Sequence, residues 1–134
     1  MNKQRILYTL LAGFGLQASF APLGLWPLSY PCLAYFIHLL NTPTKEATLL
    51  GYVFGLAFFS SGLYWISYSI HYFGHFSWIL SIALCALLVA YLSIYPVGIS
   101  YFISRYKIRP VVIVLPLLWI LFEYIRSHLF TGFP

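Results

Sequence analysis

Residues 47–70 read ATLLGYVFGLAFFSSGLYWISYSI, and this stretch decides the fold. It carries no charge, and it exceeds the roughly 20 apolar residues that a helix needs to cross the hydrocarbon of a bilayer. Working outward, charge is absent from residue 47 through 104 and from residue 6 through 44. The apolar runs give five candidate spans, at about 6–21, 27–41, 47–70, 78–104 and 111–130. The second is short and begins Trp26-Pro27, with proline well placed in a first helical turn. It reads as tilted, or as half of a helical hairpin with the first. The expectation is an all-α, polytopic transmembrane helical bundle of about five spans, with residues 1–134 forming one membrane domain.

Composition leads to the same class. Of 134 residues, 62% are hydrophobic and 7% charged, whereas a soluble domain carries about a quarter charged. A chain this short has too much surface per unit volume to hide that apolar content within itself. A soluble enzyme, a nucleic-acid binder and a disordered tail are thereby set aside. The net charge of +5 is not spread along one face as a nucleic-acid surface requires. It sits at Lys3 and Arg5, at Lys45, at Arg105, Lys107 and Arg109, and at a lone Arg126.

Five spans place the N-terminus, Lys45 and the 105–109 cluster on one side, with six of the seven basic residues. The positive-inside rule makes that side cytoplasmic. Trp26, Tyr30, Tyr64, Trp65, Tyr68, Tyr72 and Trp78 then gather near the outer boundary, where amphipathic rings settle. Residues 1–21 imitate a signal peptide, but Pro22 after Ala21 suits a peptidase poorly, so an uncleaved first helix is expected. Cys32 and Cys85 lie in apolar runs and read as packing rather than as a disulfide.

Gly51 and Gly55 form a GxxxG pair in the third span, with Gly62 and Ser69 assigned to the same stripe. Small residues let helix backbones approach closely in lipid, so a packing seam is expected, with a dimer face as the other use. Ser60, Tyr64, Ser67 and His71 form a polar stripe, bonded between helices or lining a cavity. His71 and His75 stand four apart, yet no Asp, Glu or Cys nearby completes a metal site. No metal and no cofactor is expected. Pro96 should kink the fourth span about a turn earlier, with Tyr91, Ser93 or Tyr95 re-satisfying the freed carbonyl.

The fifth span carries Glu123 and Arg126. Counting about 1.5 Å per residue from Val111 puts Glu123 roughly 18 Å along the helix, within hydrocarbon depth. Charges there are costly and face a bundle interior or a functional cavity. A local ion pair and a substrate-facing pair both fit the spacing, and a guanidinium at such a place suits a phosphate.

Four stretches now carry a resemblance: Ser19-Phe20-Ala21-Pro22 leading to Trp26-Pro27; Gly55 through Ile66 running on to Ser69-Ile70 and Phe73-Gly74; Ala90 through Tyr95; and Leu118-Trp119 through Glu123 and Arg126 to Phe130-Thr131-Gly132-Phe133-Pro134. In these the chain resembles the membrane-embedded N-terminal region of bacterial apolipoprotein N-acyltransferase. The resemblance implies a bacterial cytoplasmic-membrane enzyme that moves an acyl chain from a phospholipid to the diacylglyceryl-cysteine of a lipoprotein. It also implies a thioester on an enzyme cysteine, with catalytic Glu, Lys and Cys in a nitrilase-like domain beyond the first helices. Nothing in residues 1–134 reads as that domain, so no catalytic residue is carried over and this stretch alone is expected to be inactive. Substrate-binding candidates are Glu123 and Arg126, with Trp65 and His71 behind them. Ser127 and His75 stand where the family favours glycine. The alternative reading is a small membrane scaffold or assembly partner; a channel or transporter is disfavoured by the scarcity of charge within the spans.

Overall fold

The computed structural model describes residues 3–128, so the motif at 130–134 and the end of the fifth expected span lie outside the described residues. The described chain is helical throughout, with no strand. Its helices are α1 (Lys3–Ala18), α2 (Ser29–Leu39), α3 (Thr44–Leu63), α4 (Trp65–Gly74), α5 (Trp78–Leu92), α6 (Ile94–Tyr106) and α7 (Val111–His128), with a 3-10 turn Trp26–Leu28 before α2. Three are long and apolar enough to cross a membrane: α3, the run Trp78–Tyr106 made of α5 and α6, and α7. The first two expected spans appear as shorter helices of 16 and 11 residues.

Local chemistry sets the boundaries. Pro43, extended at ψ 141°, precedes α3, and the Ser77 hydroxyl accepts from the Leu80 N–H at the start of α5, satisfying one of the free first-turn donors. The expected third span divides at Tyr64. There the Cys85 thiol donates to the Leu63 carbonyl at 3.4 Å, a bond from a distant helix that the local sequence does not announce. α5 gives way to α6 at Ser93, about a turn before Pro96 as expected. Pro96 frees the Leu92 carbonyl, but the Ser93 hydroxyl donates to that of Val89, at 2.7 Å. The hydroxyls of Tyr91 and Tyr95 instead bond each other at 2.7 Å.

α3 is the axis of the bundle, flanked by α1 and α6. A Cβ on Gly13 would stand 2.7 Å from both the Ala57 Cβ and the Phe54 carbonyl oxygen. One on Gly51 would stand 2.9 Å from the Ser100 Cβ, and one on Gly55 3.0 Å from Ser93. The Gly51–Gly55 seam is thus occupied within the chain, by α6. Gly62 leaves this stripe, because its neighbour is Gln17 of α1. Phe36 and Phe54 stack at 4.3 Å in the centre, among Leu50, Ile99 and Ile103.

The polar stripe of the third span turns inward on its own backbone. Ser60 donates to the Ala57 carbonyl at 3.3 Å and Ser67 to the Tyr64 carbonyl at 2.7 Å. A helical serine reaches the carbonyl three or four residues back without any partner helix, so these hydroxyls do not tie helices together. α4 buries no residue and packs on α5. It ends after Gly74, where His75 takes the left-handed conformation at φ 54°. A Cβ there is strained and glycine is free of that cost.

At the far end of the bundle, Arg5 of α1 donates to Glu46 of α3 at 2.8 Å. The turn between α2 and α3 and the turn between α6 and α7 line one cavity. The start of α1, the start of α3 and the end of α6 therefore share one end, with Lys3, Arg5, Lys45, Arg105, Lys107 and Arg109.

Candidate functional site

α7 begins after Pro110, whose carbonyl accepts from the N–H groups of Ile113 and Val114 at 3.2 Å. From there the helix carries Glu123 and Arg126 to one face, three residues apart, and an Arg126 Nη2–H donates to a Glu123 carboxylate oxygen. The two partners sit differently. The Arg126 side chain is 14% exposed and that of Glu123 50%. The Arg126 Nε–H is buried with no hydrogen-bond partner, a state that few buried donors tolerate.

Three helices supply the surroundings of Arg126. Phe59 comes from α3, Tyr95, Pro96 and Ile99 from α6, and Trp119 and Phe122 from α7. They enclose about 20 Å³, room for about one water. A phosphate does not fit inside this space, and the pair is open only on the Glu123 side. Tyr95 also sets its ring edge against Phe122, with centroids 6.4 Å apart. Its hydroxyl, bonded to that of Tyr91, adds a second polar group at the depth of the ion pair.

The other two predicted residues stand apart from this cluster. Trp65 opens α4 with an exposed ring. His71 stacks on Trp78 at 4.1 Å, and its Nδ1 lies 2.6 Å from the Phe76 carbonyl oxygen. A carbonyl can only accept, so that bond places the proton on Nδ1. His71 therefore closes the turn between α4 and α5, helped by Tyr68 and Tyr72, which set ring edges against Trp78. No group of three metal-ligating side chains occurs among the described residues. Cys32 and Cys85 are buried free thiols.

Phe59 and Tyr95 were not singled out by sequence as neighbours of Arg126. A signal existed in depth rather than in spacing. Counting outward from the 107–110 turn, Tyr95 and Glu123 lie about equally far along antiparallel helices.

Comparison with known proteins identifies relatives of the chain. A family model described as the apolipoprotein N-acyltransferase N-terminal domain matches residues 12–134. The chain is 35% identical over 136 residues to an apolipoprotein N-acyltransferase of Haemophilus influenzae, with 100% of this chain and 26% of that protein aligned. It is 38% identical over 117 residues to one of Pasteurella multocida, covering 87% and 22%. Against one of Geobacter metallireducens it is 37% identical over 133 residues, covering 96% and 25%. The chain thus spans about a quarter of the length of the curated relatives it matches.

Proposed function

The chain belongs to the apolipoprotein N-acyltransferase N-terminal domain family, and from that premise we propose that residues 1–134 form the membrane part of such an enzyme. The reaction is acyl transfer from a membrane phospholipid to the N-terminal diacylglyceryl-cysteine of lipoproteins. In this reading five segments cross the bacterial cytoplasmic membrane: α1, α2 with its preceding turn, α3, the α5–α6 run, and α7. The N-terminus lies in the cytoplasm, and α4 lies at the outer boundary. The collection of six basic residues at one end of the bundle supports that orientation.

One observation carries the substrate role. Arg126 is a mostly buried guanidinium with an unpaired Nε–H, at a depth where a charge is retained for a purpose. Its partner Glu123 is half exposed and faces outward. A headgroup phosphate arriving laterally competes for the guanidinium donors from that side. Tyr95 lines the small space beside the guanidinium, while Trp65 and His71 stand apart from it on α4 and would meet the lipid only at the outer boundary. The cysteines take no part. Cys32 packs against Gly15 and Cys85 is bonded to the Leu63 carbonyl. Residues 1–134 by themselves therefore give no turnover with labelled phospholipid and a diacylglyceryl peptide.

The test is a chimera in which residues 12–134 replace the matching stretch of the Haemophilus influenzae relative, followed by Arg126→Leu. Lost lipoprotein acylation with an unchanged amount of membrane-inserted protein supports the substrate role. Loss of the protein itself assigns Arg126 to a structural ion pair instead.

A further inference from the structure

The end of the bundle remote from α4 holds a second polar feature, with no connection to Arg126. Between the α2–α3 turn and the α6–α7 turn lies a cavity of about 360 Å³, within the size range of small-ligand sites. Lys107 and Arg109 line it from one turn, and Asn41, Thr42 and Thr44 from the other. Ile103 and Val111 form an apolar wall.

The donors in this cavity all carry positive polarity. Three of the polar side chains in the walls already donate to carbonyls of their own helices. Asn41 donates to the Ile37 carbonyl, Thr42 to that of Leu39 and Ser104 to that of Ser100. The charged donors are the Lys107 ammonium and the Arg109 guanidinium, and beside them stand the second Asn41 N–H, the Thr44 hydroxyl and the first N–H groups of α3. No side chain caps that helix, and Ala47 is the first residue to donate back, to the Pro43 carbonyl at 2.9 Å. No carboxylate lines the cavity. The one acid in the first turn of α3, Glu46, is turned to Arg5. Two cations from one turn and an uncapped helix start from another thus face a space free of negative charge.

We propose that this cavity binds a phosphate group, with Lys107 and Arg109 as its charged donors, the backbone of Thr44 as a further donor, and the Ile103–Val111 wall against the carbons attached to it. Such a group has the several acceptor oxygens that these donors need. It comes from an anionic phospholipid headgroup or from a soluble phosphate ester. The proposal is independent of the acyl-transfer reading, because it rests on other residues at the other end of the bundle.

The experiment uses the 134-residue polypeptide in neutral detergent micelles, with bound molecules counted by native mass spectrometry. The probes are phosphatidylglycerol, phosphatidylcholine and glycerol 1-phosphate. The variants are Lys107→Gln with Arg109→Gln, and Lys3→Gln with Arg105→Gln as an equal-charge control outside the cavity. Thermal melting of each variant confirms that it is folded. The expected result is one saturable phosphatidylglycerol, lost by about tenfold or more in the double variant and retained in the control. Retention in the presence of excess glycerol 1-phosphate identifies the lipid as the source. Saturable binding of glycerol 1-phosphate alone, with the same dependence on Lys107 and Arg109, identifies the soluble source. Equal loss in the Lys3→Gln, Arg105→Gln control reveals diffuse surface charge and overturns the proposal, as does the absence of saturable binding by any probe.

Discussion

The contact of α1, α3 and α6 and the hairpin of α4 and α5 are built from opposite materials. In the first, Gly13, Gly51 and Gly55 bring backbones so close that a single added methyl meets main chain or a serine Cβ within about 3 Å. In the second, Tyr68, His71, Tyr72 and Trp78 meet ring against ring, and α4 buries nothing. Between helices in lipid there is little hydrophobic driving force, so tight contact is what stabilises the first region. At the outer boundary, where the proposed topology puts this hairpin, rings have water and headgroups available and need only a loose fit. The seam should therefore fail sharply on substitution, and the hairpin should absorb change.

Three substitutions test that contrast. The largest effect is expected at Gly13, where Leu drives a side chain into the Phe54 carbonyl and Ala57. A loss of about 3 kcal/mol or more is expected, at the upper end of overpacking costs, read as a lowered melting temperature in detergent or as absence of folded protein. Melting like that of the parent chain would mean that α1 is free to move off α3. The second is Gly51→Ala, expected to cost about 1–3 kcal/mol against Ser100. Combined with Ser100→Gly it should lose less than the two single changes together, by a coupling of about 0.5 kcal/mol or more in a double-mutant cycle. Strict additivity would break the claim that Gly51 and Ser100 share one contact. The smallest is His75→Gly in the hairpin. It relieves the left-handed strain at φ 54°, offset by glycine's extra freedom when unfolded. A gain of about 0.5 kcal/mol is expected, and a comparable loss would show that the His75 side chain holds the turn.

Much of the seam was legible, because close approach in lipid needs small residues in register, and Gly51 and Gly55 show that register openly. Pro96 likewise carries its consequence in its own ring. The division at Tyr64 was not legible. Nothing between Thr44 and Gly74 breaks a helix there except serine and glycine in ordinary helical positions, and the Leu63 carbonyl finds Cys85 more than twenty residues on. The Arg5–Glu46 pair, separated by 41 residues, lay equally beyond local pattern. At the candidate site, the Glu123–Arg126 pair followed from a three-residue spacing. The unequal burial of its partners did not, since it depends on where α3 and α6 place Phe59 and Tyr95. The polar stripe misled for a related reason: spacing gives the face of a hydroxyl but not whether it turns back to its own helix.

The unequal helix lengths have a mechanical consequence. At about 1.5 Å per residue, α2 is about 16 Å long and α1 about 24 Å, whereas the α5–α6 run reaches about 44 Å. Where α1 and α2 cross the membrane, as the five-span proposal has it, a hydrocarbon layer about 30 Å thick fits neither flank. It has to dimple beside α1 and α2, while the long run leans or protrudes, and each ångström of mismatch has an elastic cost. In that proposed arrangement lipids on the short flank are compressed, with splayed and shortened tails, and one side of the bundle is a weak point in the leaflet.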